Sequence, residues 1–269
     1  MARVLCISSQ VVRGHVGNSA AVFALQRLGH EVWALPTVLL SNHPGHPHVA
    51  GTRIEPKVMR DMLGALARNG WLGDVDAVLT GYLPSAEHVA VAAEAIDMLR
   101  AGGRQPLVLV DPVLGDDPAG LYVAEEAAAA VRQQLLPLAS LTTPNRFELA
   151  YLSGAPVRDA ASAAAAAAVL GVPMVLATSI PGDDHLLNLL WEPGGTQCAE
   201  VAKLARVPHG TGDLLAALQL GHMLHGEPAG AAMRKAVAGV AAAIEASAGA
   251  DELRLVTSQD HWAVRKSVI

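Results

Sequence analysis

Short runs of β-branched and aliphatic residues alternate along this chain with longer segments rich in alanine and leucine, and that alternation decides the fold class. Runs at residues 4–8, 31–35, 77–80, 107–110, 138–142 and 174–177 read as strands. Segments at 18–28, 55–69, 85–101, 125–136, 159–170, 211–225 and 229–247 read as helices. A helix between two parallel strands has to cross over a sheet face, so the pattern predicts an α/β fold: a central, mostly parallel sheet flanked by helices on both faces. Two further runs, 186–191 and 197–203, meet at Pro193-Gly194-Gly195 and predict a small antiparallel hairpin at one edge. The alanine tract at 160–168 needs no special explanation, since alanine is the best helix former. With 269 residues, 52% of them hydrophobic, and neither repeat nor linker, the chain reads as a single domain, 1–269, with a large core.

Charge and cysteine content narrow the partners. A formal net charge of −6 without any Lys/Arg cluster offers no footprint for nucleic acid or an anionic membrane. Cys6 and Cys198 are the two cysteines, which suits a reducing cytoplasm better than a disulfide framework. The apolar run at 4–7 is too short for a signal peptide, and no stretch approaches twenty uncharged apolar residues. A soluble, cytoplasmic protein is expected.

In an open α/β sheet, ligands bind beyond the C-terminal strand ends, so the residues there carry the functional reading. His209-Gly210-Thr211-Gly212-Asp213 is a glycine-bracketed turn entering an apolar helix. Such a turn leaves N–H groups unpaired at the positive end of a helix, ready for an anion. Asp213 follows at once, where it could take a proton from a hydroxyl attacking a bound phosphate. The same four residues could also form an ordinary helix cap. Asp111-Pro112-Val113-Leu114-Gly115-Asp116 sets two carboxylates on a turn, the hard oxygen donors Mg²⁺ requires, or two turn caps. Asn145 and Glu148 have capping-box spacing, and the hydroxyls of Thr178 and Ser179 could reach a nucleotide phosphate or close a turn. Together these put a hydroxyl pair, three carboxylates and an anion-binding helix start at successive strand ends, which points to a small-molecule kinase.

With these motifs in order, the chain resembles pyridoxal kinase of the ribokinase-like superfamily. The resemblance runs from Val4 to the C-terminus. It is carried by Arg13-Gly14-His15-Val16-Gly17-Asn18, Ser41-Asn42-His43, Thr80-Gly81-Tyr82, the 111–116 turn, Tyr122-Val123, Thr143-Pro144-Asn145 with Glu148, and Gly210-Thr211-Gly212-Asp213. It implies ATP-dependent phosphorylation of the 5′-hydroxymethyl group of pyridoxal in B6 salvage. Asp213 would be the base, and the N–H groups of Gly210, Thr211 and Gly212 would hold the transferred phosphoryl group. Glu148 and Asp116 would hold Mg²⁺ through water, with Asp111 close by. A monovalent cation, K⁺ or Na⁺, would sit around Asp111, Thr143 and Asn145, and Thr178 and Ser179 would contact ATP. Ser9 would bond the pyridine ring, Val16, His43 and Tyr82 would line the substrate pocket, and the Pro/Gly/His loop at 40–51 would close as a flap. Similar kinases are homodimers.

This sequence departs from the family pattern at three places. Gln10 stands where a histidine is usual, Leu40 where an aromatic is usual, and Pro44 where a threonine contacts the ring; proline offers neither hydroxyl nor N–H. Choice among pyridoxal, pyridoxine and pyridoxamine is therefore open. A hydroxymethylpyrimidine kinase and a non-catalytic B6 binder remain alternatives; a sugar kinase is disfavoured because residues 31–51 lack a Gly-Gly pair. His43, His46 and His48, with His30, are not read as a metal site, because a Pro/Gly-rich loop gives ligands no fixed geometry.

Overall fold

The computed structural model describes residues 1–204 and 207–263. Its strands are β1 (Arg3–Val11), β2 (Glu31–Leu40), β3 (Gly51–Arg53), β4 (Ala77–Thr80), β5 (Leu107–Val110), β6 (Gly115–Asp116), β7 (Gly120–Leu121), β8 (Leu141–Thr142), β9 (Met174–Pro181), β10 (His185–Glu192) and β11 (Gly195–Ala202). The helices are α1 (Asn18–Arg27), α2 (Pro56–Arg68), α3 (Ala86–Ala101), α4 (Glu125–Ala130), α5 (Arg146–Ser153), α6 (Ala160–Ala168), α7 (Thr211–Leu224), α8 (Ala229–Ala246) and α9 (Leu255–Ser258). One sheet runs β11-β10-β9-β8-β5-β4-β1-β2-β3, and β6 and β7 form a separate two-stranded ribbon. The six strands from β9 to β2 pair in parallel, whereas β3 at one edge and β10 and β11 at the other are antiparallel.

The period of two along the central strands divides the core between two faces. Leu5, Ile7, Val78, Val108, Val110 and Val175 face α2 to α6, whereas Val4, Cys6, Ala77, Leu79, Leu109 and Leu176 face α1, α7 and α8. Both faces are covered, so these strands read as continuous apolar runs.

Several boundaries differ from expectation, each for a local reason. The strand expected at 138–142 shrinks to Leu141–Thr142, because Pro137 sits in a tight 3₁₀ turn over Leu136–Leu138. The helix expected at 125–136 is α-helical to Ala130 and then widens into a π turn over Val131–Leu135. β1 continues to Val11 and β2 to Leu40, where they pair beyond an irregularity at Ser8/Gln10. β3, with no apolar pattern of its own, pairs with the end of β2, so loop 41–50 is the tip of an antiparallel arm. No helix among the described residues is long and apolar enough to cross a membrane.

Candidate active site

β1 has β2 on one side and β4 on the other, so the chain leaves β1 in one direction and returns in the opposite one. The strand ends diverge there, which opens the crevice that α/β proteins use for ligands. Ser8, Gly17, Asn18, Thr80, Gly81, Asp111 and Asp213 line a small cavity in it. Two polar atoms of this wall, Asn18 Oδ1 and Thr80 Oγ1, are buried without a hydrogen-bond partner among the described residues. Orphaned buried polar atoms are uncommon, and each calls for a partner such as water or a ligand.

α7 aims its N-terminus at this cavity. Gly210 caps the helix at φ 95°, and a Cβ there would stand 2.0 Å from the His15 carbonyl oxygen, so both backbone conformation and space demand glycine. The N–H groups of Gly210, Thr211 and Gly212 donate to no acceptor among the described residues. Three unpaired donors at the positive helix end form a nest for an anion. Asp213 occupies the first turn, and the backbone N–H groups of Gly17 and of Asp213 itself favour its charged form through hydrogen bonding. Burial outweighs those bonds and raises its pKa from 3.8 to about 6.

Two more carboxylates continue from Asp213 along the strand ends. Asp111, buried just past β5, accepts a 2.7 Å hydrogen bond from the Thr143 hydroxyl. Burial, and then the charge of Asp213, push its pKa to about 7. Glu148 lies in the first turn of α5, where a complete capping box with Asn145 holds it. Its Oε2 accepts from Asn145 N at 2.9 Å and its Oε1 from Leu114 N at 2.9 Å, yet burial and the nearby Asp111 still raise it to about 8. Among the described residues, no basic side chain contributes to any of these three shifts. A buried row of carboxylates without a cationic partner is a donor set of hard oxygens, suited to a hard divalent ion.

The third strand end has unusual backbone. β9 carries Thr178 and Ser179 in a bulge opposite Asn188, where its register with β10 shifts, and Ser179 adopts φ 57°. A left-handed non-glycine residue is strained, and bulges re-aim side chains beside functional sites. Thr178 is tied to the carboxylate row by a hydrogen bond from its N–H to the Pro144 carbonyl.

Comparison with known proteins identifies the lineage. The family model described as phosphomethylpyrimidine kinase matches residues 31–256. Pyridoxal kinase PdxY of Corynebacterium diphtheriae is 36% identical over 96% of this chain and 94% of its own. The chain belongs to the pyridoxal kinase family. The pyridoxine/pyridoxal/pyridoxamine kinase of Bordetella avium is 40% identical over 87% of this chain and 80% of its own. Pyridoxal kinase from Leishmania donovani, in complex with ADP and pyridoxamine, is 35% identical and superposes with a TM-score of 0.90 over 97% of this chain and 95% of that one. The sheet order and flanking helices are therefore those of a pyridoxal kinase, ribokinase-like.

Within this pyridoxal kinase family member, the expected site residues fall into two groups. Asp213 and Asp111 line the cavity, Gly210, Thr211 and Gly212 head the helix that carries Asp213, Thr143 bonds Asp111, and Asn145 and Glu148 share the α5 cap, with Asn145 Nδ2 donating to the Gly115 carbonyl at 2.8 Å. Val16 packs beside Gly210, and the backbone N–H of Tyr82 donates to Ser8 Oγ at 3.1 Å. Asp116 is more peripheral: it is exposed on the β6–β7 ribbon, near Tyr122. Ser9 Oγ lies against Gly17, and Ser8 lines the small cavity together with Asp213. Of the three departures, Gln10 ties β1 to α1 through Ser19 Oγ at 2.8 Å, Leu40 ends β2, and Pro44 is exposed at the flap tip. His43 stacks on His209 with ring centroids 3.8 Å apart, so the flap touches the residue preceding the phosphate turn. Sequence reasoning gave no role to Ser8, Asn18, Thr80 or His209, although Asn18, Thr80 and His209 lie inside the motifs named above; a buried polar atom without a partner is visible only once its neighbours are known.

Proposed function

We propose that this chain transfers the γ-phosphoryl group of ATP to the 5′-hydroxymethyl group of pyridoxal, and to pyridoxine and pyridoxamine, producing pyridoxal 5′-phosphate and its analogues for B6 salvage. The observation that carries this reading is that Asp213, which lines the crevice, stands at the head of the helix whose first N–H groups, of residues 210–212, have no acceptor among the described residues. Asp213 removes the proton from the substrate hydroxyl as its oxygen attacks the γ-phosphorus. The N–H groups and the positive end of α7 stabilise charge on the phosphoryl oxygens during transfer. A carboxylate whose pKa is near 6 is ionised at neutral pH yet remains basic enough to accept that proton.

Mg²⁺ fits the row formed by Asp111 and Glu148, with Asp116 at its edge. Both Glu148 oxygens already accept backbone N–H groups, so this residue suits a water-bridged ion better than direct ligation. When bound, the ion neutralises phosphate charge. K⁺ or Na⁺ would take the oxygens around Asp111, Thr143 and Asn145, and Thr178 and Ser179 would meet the nucleotide phosphates from the β9 bulge. Ser9 remains the proposed ring contact, joined by Ser8, with Val16, His43 and Tyr82 around the vitamer and flap 41–50 above it. The relatives named for pyridoxine, pyridoxal and pyridoxamine support the breadth of the acceptor range. Two free cysteines accord with a cytoplasmic setting, and a homodimer is the assembly expected, to be measured by light scattering.

The family model's name keeps hydroxymethylpyrimidine as the second acceptor to test. A coupled assay of ADP release with the three vitamers and hydroxymethylpyrimidine decides between them. Turnover with a vitamer, dependent on Mg²⁺, is expected; turnover with the pyrimidine alone, or none with any acceptor, overturns the reading. Asp213→Asn should keep ATP binding while lowering kcat by roughly 10² or more, since it removes the base and keeps its shape.

A further inference from the structure

The opposite end of α7 gathers a second cluster of chemistry, far along the helix from Asp213. His222, His225 and Glu227 each offer one ligand atom, and these atoms lie within 4.8 Å of one another. His222 is 4% exposed, and its Nδ1 has no hydrogen-bond partner among the described residues although it lies 3.4 Å from Glu227 Oε1. Tetrahedral ligation at about 2.0–2.1 Å from a metal separates neighbouring ligand atoms by roughly 3.3 Å, close to that spacing. His225 donates from Nε2 to the Leu28 carbonyl at 2.9 Å, which fixes the tautomer and leaves Nδ1 its lone pair. That is how metal-bound imidazoles are usually oriented.

The backbone prepares the same cluster. N–H groups of His225 and Glu227 both reach the His222 carbonyl, at 3.1 and 3.3 Å, and Gly226 at φ 85° makes the reversal between α7 and α8. The C-terminal end of a helix favours positive charge. The competing cation is Lys235 of α8, whose Nζ lies 2.6 Å from Glu227 Oε1 but whose side chain is 57% exposed and can swing out. His30 lies against His225 with the rings tilted by 33° and has both nitrogens engaged, with Gly221 O and Ala2 N, so it supports the site without joining it.

We propose that His222, His225 and Glu227 form a site for a borderline divalent transition ion, Zn²⁺ above all, that pins the α7–α8 turn and is separate from the all-oxygen Mg²⁺ row. Two imidazoles and a carboxylate, with water in the fourth position, are a zinc donor set and a poor one for Mg²⁺. The test is equilibrium dialysis of the metal-free full-length chain against Zn²⁺ without nucleotide, paired with visible absorption of the Co²⁺-loaded protein. One ion per chain is expected, with Co²⁺ bands of low coordination number. His225→Ala and Glu227→Gln, both at accessible positions, should each weaken uptake about tenfold or more. Lys235→Met should tighten it, because a competitor for Glu227 is gone. No uptake at about 100 μM Zn²⁺, a concentration far above the affinity such sites show, would overturn the proposal. So would uptake unchanged by both variants, weaker uptake in Lys235→Met, or uptake lost only when His43, His46 and His48 are replaced.

Discussion

Asp213 shows how one side chain takes its chemistry from its position. Burial at the head of α7 raises its pKa to about 6, so the ionised base is populated above that pH and lost as pH falls through it. The pH profile of kcat/KM for the vitamer should therefore have an acid limb near 6; a limb near 4, the ordinary range of an aspartate, would remove burial as the tuning force. Gly210 is the matching backbone case. Gly210→Ala puts a Cβ against the His15 carbonyl at a left-handed φ, which costs about 1–3 kcal/mol from backbone strain alone. Its Tm should fall and its activity with it, because the clash displaces the unpaired N–H groups; a variant of wild-type activity would show that their placement does not matter. Residues bound to a motif were legible from sequence, as the turn at 210–213 demonstrates. Ser8 and Ser9 were not distinguishable, because two adjacent hydroxyls at a strand end read alike until their neighbours are known: Ser8 lines the cavity, and Ser9 Oγ lies against Gly17.

At the level of elements, α5 and its cap join the fold to the carboxylate row. Asn145 caps α5, aligns Glu148 and reaches Gly115, so Asn145→Ala should lose about 1 kcal/mol of cap energy and also raise the Mg²⁺ concentration needed for half-maximal turnover. A stability loss with an unchanged Mg²⁺ requirement would confine Asn145 to the cap. The row itself carries a pH signature. Asp111 and Glu148 titrate near 7 and 8 in the folded chain, above their ordinary values near 4, so they favour the folded state while protonated, below about pH 4. That contribution is lost as pH rises through 7 and 8. Metal-free protein should accordingly lose stability on this account from pH 5 to 8.5, and Mg²⁺ should raise Tm more at the higher pH; an equal Mg²⁺ effect at both would separate the ion from these residues. The central strands were legible because both faces are buried, leaving plain apolar runs. β3 was not, since Gly51–Arg53 is exposed and exists only by pairing with the end of β2. β8 was overestimated because its apolar residues continue upstream through a proline that turns them out of the sheet.

Contacts distant in sequence join the flap to the body of the whole molecule. His46 at the flap meets Glu252 at 2.9 Å, and the same Glu252 oxygen takes Arg13 from the glycine loop after β1 at 3.1 Å, while Arg13 also pairs with Asp251. His43 adds its stack on His209 from the same flap. Glu252, only 13% exposed, is thus the shared acceptor through which flap, glycine loop and C-terminal segment hold one another. No pattern in the sequence announces this joint, because its partners are separated by more than two hundred positions and each reads alone as a surface charge. Exposed pairs contribute little singly, but an acceptor shared by two side chains from different segments orders a loop against its support. Glu252→Gln keeps the shape and removes the charge, so the flap should spend less time against residue 209. The expected result is a KM for pyridoxal raised several-fold and faster ATP hydrolysis without vitamer, since a looser flap admits water to the γ-phosphate, while the KM for ATP stays near wild type. His46→Ala should reproduce the change in direction, and combining the two should add little, because both cut the same link. Additive effects, or a KM for ATP that moves as far as that for pyridoxal, would mean that Glu252 acts by holding the C-terminal segment alone and that the flap closes without it.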